Sequence, residues 1–172
     1  ENILIFHFHH IVADGMSMDI FNREFTSLYH NEDLPELKKQ YSGYVDYEKQ
    51  KMTEEWLKDR REFWINGLQD CVTRLPLPYD KYPEKGTMAG STHVDYIQKD
   101  ELAYLKATAK EQGVSLFMIL LSVIDVVLHK ISGENNFVVS TPVTTKFAGG
   151  FEDNIGMFTN TMALGCHIEP SE

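Results

Sequence analysis

The stretch HFHHIVADGMS, His7 to Ser17, packs three histidines, an aspartate and a glycine into eleven residues. Just upstream, NILIFHFHH alternates so that Leu4, Phe6, Phe8 and His10 share one face and Ile3, Ile5, His7 and His9 the other. Both faces are largely apolar, which predicts a strand buried on both sides. Asp14 and Gly15 supply the turn conformations that end it. Ser17 is then expected to cap a helix, with Asp19 near its positive end and Phe21, Phe25 and Leu28 recurring at helical spacing.

Three readings of the cluster compete. A metal centre draws its ligands onto one point, but the strand alternation sends His7 and His9 one way and His10 the other, so no metal site is expected. An acid–base reading asks less of the backbone. His10 would sit at the edge of an apolar layer, where desolvation favours the neutral imidazole that accepts a proton near pH 7. Asp14 would pair with a cation or orient the ring, and Gly15 would let a reactant approach the backbone. The third reading is a structural histidine bonded to a local carbonyl. No serine or cysteine nucleophile completes a triad: Ser17 is better explained as a helix cap, and Cys71 and Cys166 as buried thiols. A histidine without a nucleophile of the protein's own suggests direct transfer, in which one substrate attacks another.

The chain downstream of Ser17 fits a mixed fold. A helical tract runs from about Ser42 to Leu68 with a break near Thr53. RLPLPYDKYPEKGTMAG carries Pro76, Pro78, Pro83, Gly86 and Gly90 and reads as a crossing between two structural units. STHVDYI is expected as a short strand. Asp100 is expected to cap a helix that stops at Gly113, and Ser115 to cap the apolar helix LFMILLSVIDVVL, a buried helix too short to span a bilayer. NFVVSTPV and FTNTMALGCHI read as strands. A net charge of −10 without a Lys/Arg stripe argues against nucleic acid. Two distant cysteines suggest neither a disulfide framework nor a thiolate zinc site, and the cytoplasm is the expected location. A chain that opens at Glu1 in a strand pattern and stops after another strand reads as an excerpt of a longer polypeptide.

HHIVADG, His9 to Gly15, resembles the HHxxxDG motif of condensation domains in nonribosomal peptide synthetases. YVDYEKQ from Tyr44 and REFWINGL from Arg61 resemble the family's following tracts, with Gln50 where tryptophan is usual. DNIGMFTNT, Asp153 to Thr161, is similar to the IGxFVNT segment, with Thr159 where valine is common. The resemblance implies an α+β, chloramphenicol acetyltransferase-like sandwich of two lobes with an active-site tunnel. This chain would be a fragment: 1–75 from the end of the first lobe, 76–90 the crossing, and 91–172 the start of the second.

Family domains are more than twice this length, so the excerpt alone is not expected to act. The implied reaction is amide formation between aminoacyl or peptidyl thioesters that the phosphopantetheine arms of carrier domains deliver, as in the assembly of peptide antibiotics. No cofactor is held directly, an adenylation domain is the expected neighbour, and no membrane is involved. Residue by residue, His10 is the motif's catalytic histidine and His9 a structural one. Asp14, Gly15 and Ser17 belong to the motif framework, and Gly156 and Asn160 lie by the tunnel. Lys146 in TPVTTKF stands where many members carry arginine and would pair with Asp14, without arginine's flat fork. Alternatives within the superfamily are an epimerisation domain, disfavoured by Met18 where tryptophan is common, and a coenzyme A-dependent acyltransferase. A noncatalytic carrier-docking platform is the alternative from another class.

Overall fold

A computed structural model describes residues 3–81 and 90–169. In chain order the elements are α1 (Gly15–Tyr29), α2 (Tyr41–Lys51), α3 (Glu54–Leu68), α4 (Lys99–Glu111), α5 (Leu116–Ser132), β1 (Asn136–Thr144) and β2 (Thr159–His167). The two strands pair with each other. Bonds at the two ends, Thr145 N–H to Phe158 O (3.1 Å) and Ile168 N–H to Asn135 O (2.9 Å), set an antiparallel register. No single helix among the described residues is long and apolar enough to cross a membrane.

The chain forms two compact units that do not follow chain order: residues 1–67 with 140–164, and residues 68–139 with 165–172. The segment 140–164 therefore groups with the N-terminal residues rather than with the rest of 91–172. Most of the expected crossing, 82–89, lies outside the described residues.

The first unit is organised by aromatic rings. Tyr44, Phe151 and Phe158 form a buried cluster against which Tyr41 and Tyr47 pack, with Tyr44 and Phe158 edge to face at 4.7 Å. The Tyr44 hydroxyl bonds Glu48 and Thr145 (2.6 Å to the latter), and burial together with the Glu48 bond pushes its phenol up to about 12. In this unit Phe6 and Phe8 lie edge-on to Phe21 of α1, at 4.6 and 5.1 Å.

In the second unit α4 packs on α5. Glu101 accepts the Gln98 N–H (2.9 Å), so α4 begins one residue before Asp100, which sits inside its first turn. Ser115 caps α5 through Met118 N–H (3.2 Å), and Gly133 ends it in the left-handed region at φ 77°. Cys166 is buried, and burial and Asp125 push its thiol up to about 11.

Three sequence expectations fail, for one reason. Residues 3–9 form no strand, and Ile3 and Ile5 are 86% and 84% exposed. STHVDYI is likewise irregular and exposed. α5 has no fully buried residue, and Phe117 is 53% exposed. A strand is defined by a neighbour to bond, and a helix that is apolar all round is buried only when covered on every side. Among the described residues the only paired strands are β1 and β2.

Candidate functional site

The site is built where the first helix begins. Asp14, not Ser17, is the N-cap of α1: its backbone is extended and its Oδ1 accepts Ser17 N–H at 2.9 Å. Aspartate wins the position because its carboxylate reaches the third helical N–H, which leaves Ser17 inside the first turn. The Ser17 side chain is wholly buried. Its Oγ lies 2.8 Å from Asp14 Oδ1 and 2.8 Å from Gly156 O, so its one proton serves either acceptor, while the oxygen accepts Gly156 N–H at 3.1 Å. The second carboxylate oxygen of Asp14 accepts Phe158 N–H (3.0 Å) and Thr159 Oγ1–H (3.2 Å). Two motifs more than 130 residues apart thus meet on one carboxylate and one hydroxyl.

The electrostatics follow from this bonding. Asp14 is 2% exposed. Burial pushes its carboxyl up, but the bonds from Ser17, Phe158 and Thr159 together outweigh burial and hold it below the usual carboxylate range. The expected ion pair with Lys146 is not formed: the ion pairs among the described residues are Arg23–Asp153 and Lys58–Glu62. Lys146 is fully buried and feels the charge of Asp14, yet its amine makes no hydrogen bond among the described residues and stands over the Phe158 ring, 5.0 Å from its centre. Asp14 is already occupied by four neutral donors, so no direct cation contact is needed to hold its charge.

The histidine half is built differently. Residues 10–12 form a turn in which Val12 N–H bonds His9 O (3.1 Å) and Ile11 N–H bonds His9 Nδ1 (3.1 Å). His9 therefore has a local structural part to play. His10 is exposed, in that turn rather than on an apolar strand face, and has no hydrogen-bond partner among the described residues. The desolvated layer expected around it is missing because the strand that was to carry it does not form. Open space surrounds Gly15, where an added Cβ would meet nothing within 4 Å. Gly156 is the reverse: an added Cβ would lie 2.2 Å from the Tyr41 ring. Asn160 is exposed, and its side-chain oxygen accepts the next residue's N–H, Thr161, at 2.7 Å. No group of three or more His, Cys, Asp or Glu able to hold a metal occurs among the described residues.

Sequence reasoning did not foresee that Phe158 N–H, Thr159 and Gly156 would converge on Asp14 and Ser17. The available signal was Thr159 itself, a hydroxyl donor standing in a segment where the resemblance expects valine.

Comparison with known proteins identifies the family and the fold. The Condensation domain family model matches residues 1–172, the whole chain. The chain belongs to the condensation domain family. Among relatives of this domain, bacitracin synthase 1 of Bacillus licheniformis is 34% identical over 170 residues, which are 98% of this chain and 3% of that protein. Tyrocidine synthase 3 of Brevibacillus parabrevis is 34% identical over 166 residues, 95% of this chain and 2% of that protein. The chain therefore spans only a small part of these synthetases.

Among solved structures, a four-domain nonribosomal peptide synthetase bound to AMP and glycine matches with a TM-score of 0.79 at 27% identity, covering 94% of this chain and 12% of the other. The first condensation domain of the calcium-dependent antibiotic synthetase, in complex with a substrate analogue, matches at 0.72 with 21% identity and covers 95% and 39% respectively. The fold is that of the condensation domains, chloramphenicol acetyltransferase-like and α+β. Because the matched condensation domain is much longer, these 172 residues supply only part of the packing such a fold uses, in keeping with the apolar surface left open on residues 3–6 and α5.

Proposed function

We propose that this condensation-domain segment serves amide-bond formation between two carrier-bound aminoacyl or peptidyl thioesters, as part of a longer cytoplasmic synthetase. The observation that carries the reading is the junction of the HHIVADG turn with the IGMFTNT segment through Asp14 and Ser17. A reaction in which both reactants come from outside needs no nucleophile from the protein, only a fixed frame that presents a proton acceptor to an incoming amine. In this reading His10 is that group, with no bond to its ring nitrogens among the described residues. His9 shapes the turn that bears it, Gly15 leaves room beside the helix start, and Gly156 and Asn160 belong to the tunnel wall. The amine attacks the donor thioester, the new C–N bond replaces the C–S bond, and the thiol leaves on its phosphopantetheine arm. Carrier domains and an adjacent adenylation domain are the partners this chemistry requires.

The test uses the full synthetase with its loaded carriers. His10→Ala is expected to leave the fold intact and to cut product formation by about 10²-fold or more; undiminished product would defeat the assignment. The exposure of His10 favours one second reading, a docking platform for carriers that performs no chemistry. Carrier binding without product in the unmodified protein would select it.

A further inference from the structure

Among the described residues of the first unit two charged side chains are buried, Asp14 and Lys146, and only the first is answered there. Lys146 leaves the neck of a loop. Its backbone N–H bonds Thr144 Oγ1 (3.3 Å), its carbonyl accepts Phe151 N–H (3.3 Å), and the neighbouring Thr145 closes the loop through two bonds to Phe158 O, at 3.1 Å from N–H and 3.0 Å from Oγ1. From this fixed root the side chain runs inward to complete burial, where Nζ finds no acceptor. The charged groups facing it come from two elements. α1 supplies Asp14 at its cap and Arg23, and the loop supplies Asp153. Each is committed elsewhere: the Asp14 oxygens to Ser17, Phe158 and Thr159, and Arg23 and Asp153 to each other at 3.2 Å. The Phe158 ring face offers a cation some attraction, but less than a hydrogen-bonded partner would.

An ammonium ion in such a place costs stability, whereas the neutral amine does not bear the same desolvation penalty. We propose that Lys146 is a pH-sensitive latch, in which the loop spanning 145–159 closes more firmly on the first turn of α1 when the amine is uncharged. Burial lowers the folded pKa; Asp14 and Asp153 oppose that fall, and Arg23 adds to it. Between the lowered folded value and the ordinary 10.5 of the unfolded chain, the unfolded state binds more protons, so stability rises with pH across that window and is lost as pH falls through the folded value. Two other groups act in the opposite sense. Tyr44 and Cys166 have raised values, so the folded state holds their protons longer and stability falls as they titrate at alkaline pH. Both are present in a Lys146 variant, so the difference between the two chains isolates the amine. The inference does not depend on the reaction proposed above.

The experiment compares thermal unfolding of the 172-residue chain with that of Lys146→Met from about pH 7 to 10.5, the upper end being the ordinary lysine value. The variant is expected to melt about 4 °C higher at pH 7, with its advantage shrinking as pH rises. In the unmodified chain, the Lys146 side-chain carbon resonance is expected to titrate below those of the exposed lysines. A variant that melts at the same or a lower temperature, or fails to fold, overturns the latch, because the buried amine then costs the fold nothing. A Lys146 resonance that titrates with the other lysines overturns it independently.

Discussion

The two halves of the HHIVADG motif follow opposite rules of construction. Asp14 is 2% exposed and faces four hydrogen-bond donor groups, two of them on residues 158 and 159, whereas His10 is exposed and has no hydrogen-bond partner among the described residues. One half is determined by distant parts of the chain, and the other by a turn of three residues. The difference separates two jobs that a short motif fuses on paper: the aspartate ties the chain together and the histidine is presented. Substitutions in the first half should therefore unfold, and those in the second should not.

The largest effect is expected from Asp14→Ala. It removes the cap of α1 and strands the Ser17 and Phe158 N–H groups in a buried site, a combination worth about 4 kcal/mol. Chemical denaturation of the chain would measure it. The carboxyl is held below the usual range, so its contribution is complete at neutral pH and is lost as pH falls through the depressed folded value. Asp14→Asn should flatten that acid limb. If the acid limb persists in Asp14→Asn, other carboxylates carry the acid sensitivity, and the contrast between the halves weakens.

Next is Gly156→Ala. An added Cβ would stand 2.2 Å from the Tyr41 ring, which cannot swing away freely because its hydroxyl donates to Met157 O at 2.9 Å. Overpacking of this kind costs about 2–3 kcal/mol. The measurement is the urea midpoint of the variant, and an unchanged midpoint would mean that the ring yields and that the junction is softer than its bonds suggest. Gly15→Ala is the internal control, since open space lies beside it.

The helices and the last two strands were legible because their signals are local. Ser115 and Gly133 bracket α5 by capping chemistry alone, and the break at 52–53 between α2 and α3 falls at Thr53, as expected. Residues 3–9 were misread because alternation reports which faces are apolar and says nothing about whether a neighbouring strand exists to accept the ladder. The junction at Asp14 was half legible: its turn position was plain, but its donors lie 144 and 145 residues away, and no spacing rule reaches that far. Ser17 shows the limit most sharply. Serine before a helix is a good cap, yet an aspartate three residues earlier takes the cap position by accepting the N–H of Ser17 itself, which draws the serine into the first turn and turns its hydroxyl to Gly156.

The smallest effect belongs to the histidine half and tests it most directly. His9→Ala deletes the acceptor of Ile11 N–H, but that N–H lies in an exposed turn where water can replace the imidazole, and Val12 N–H still bonds the His9 carbonyl. A loss within about 0.5 kcal/mol is expected, as for ordinary surface changes. His10→Ala should cost no more, because nothing among the described residues bonds its ring. If either substitution destabilised the chain as much as Gly156→Ala, the imidazoles would be part of the frame, and the motif could not be divided into a half that holds and a half that is presented.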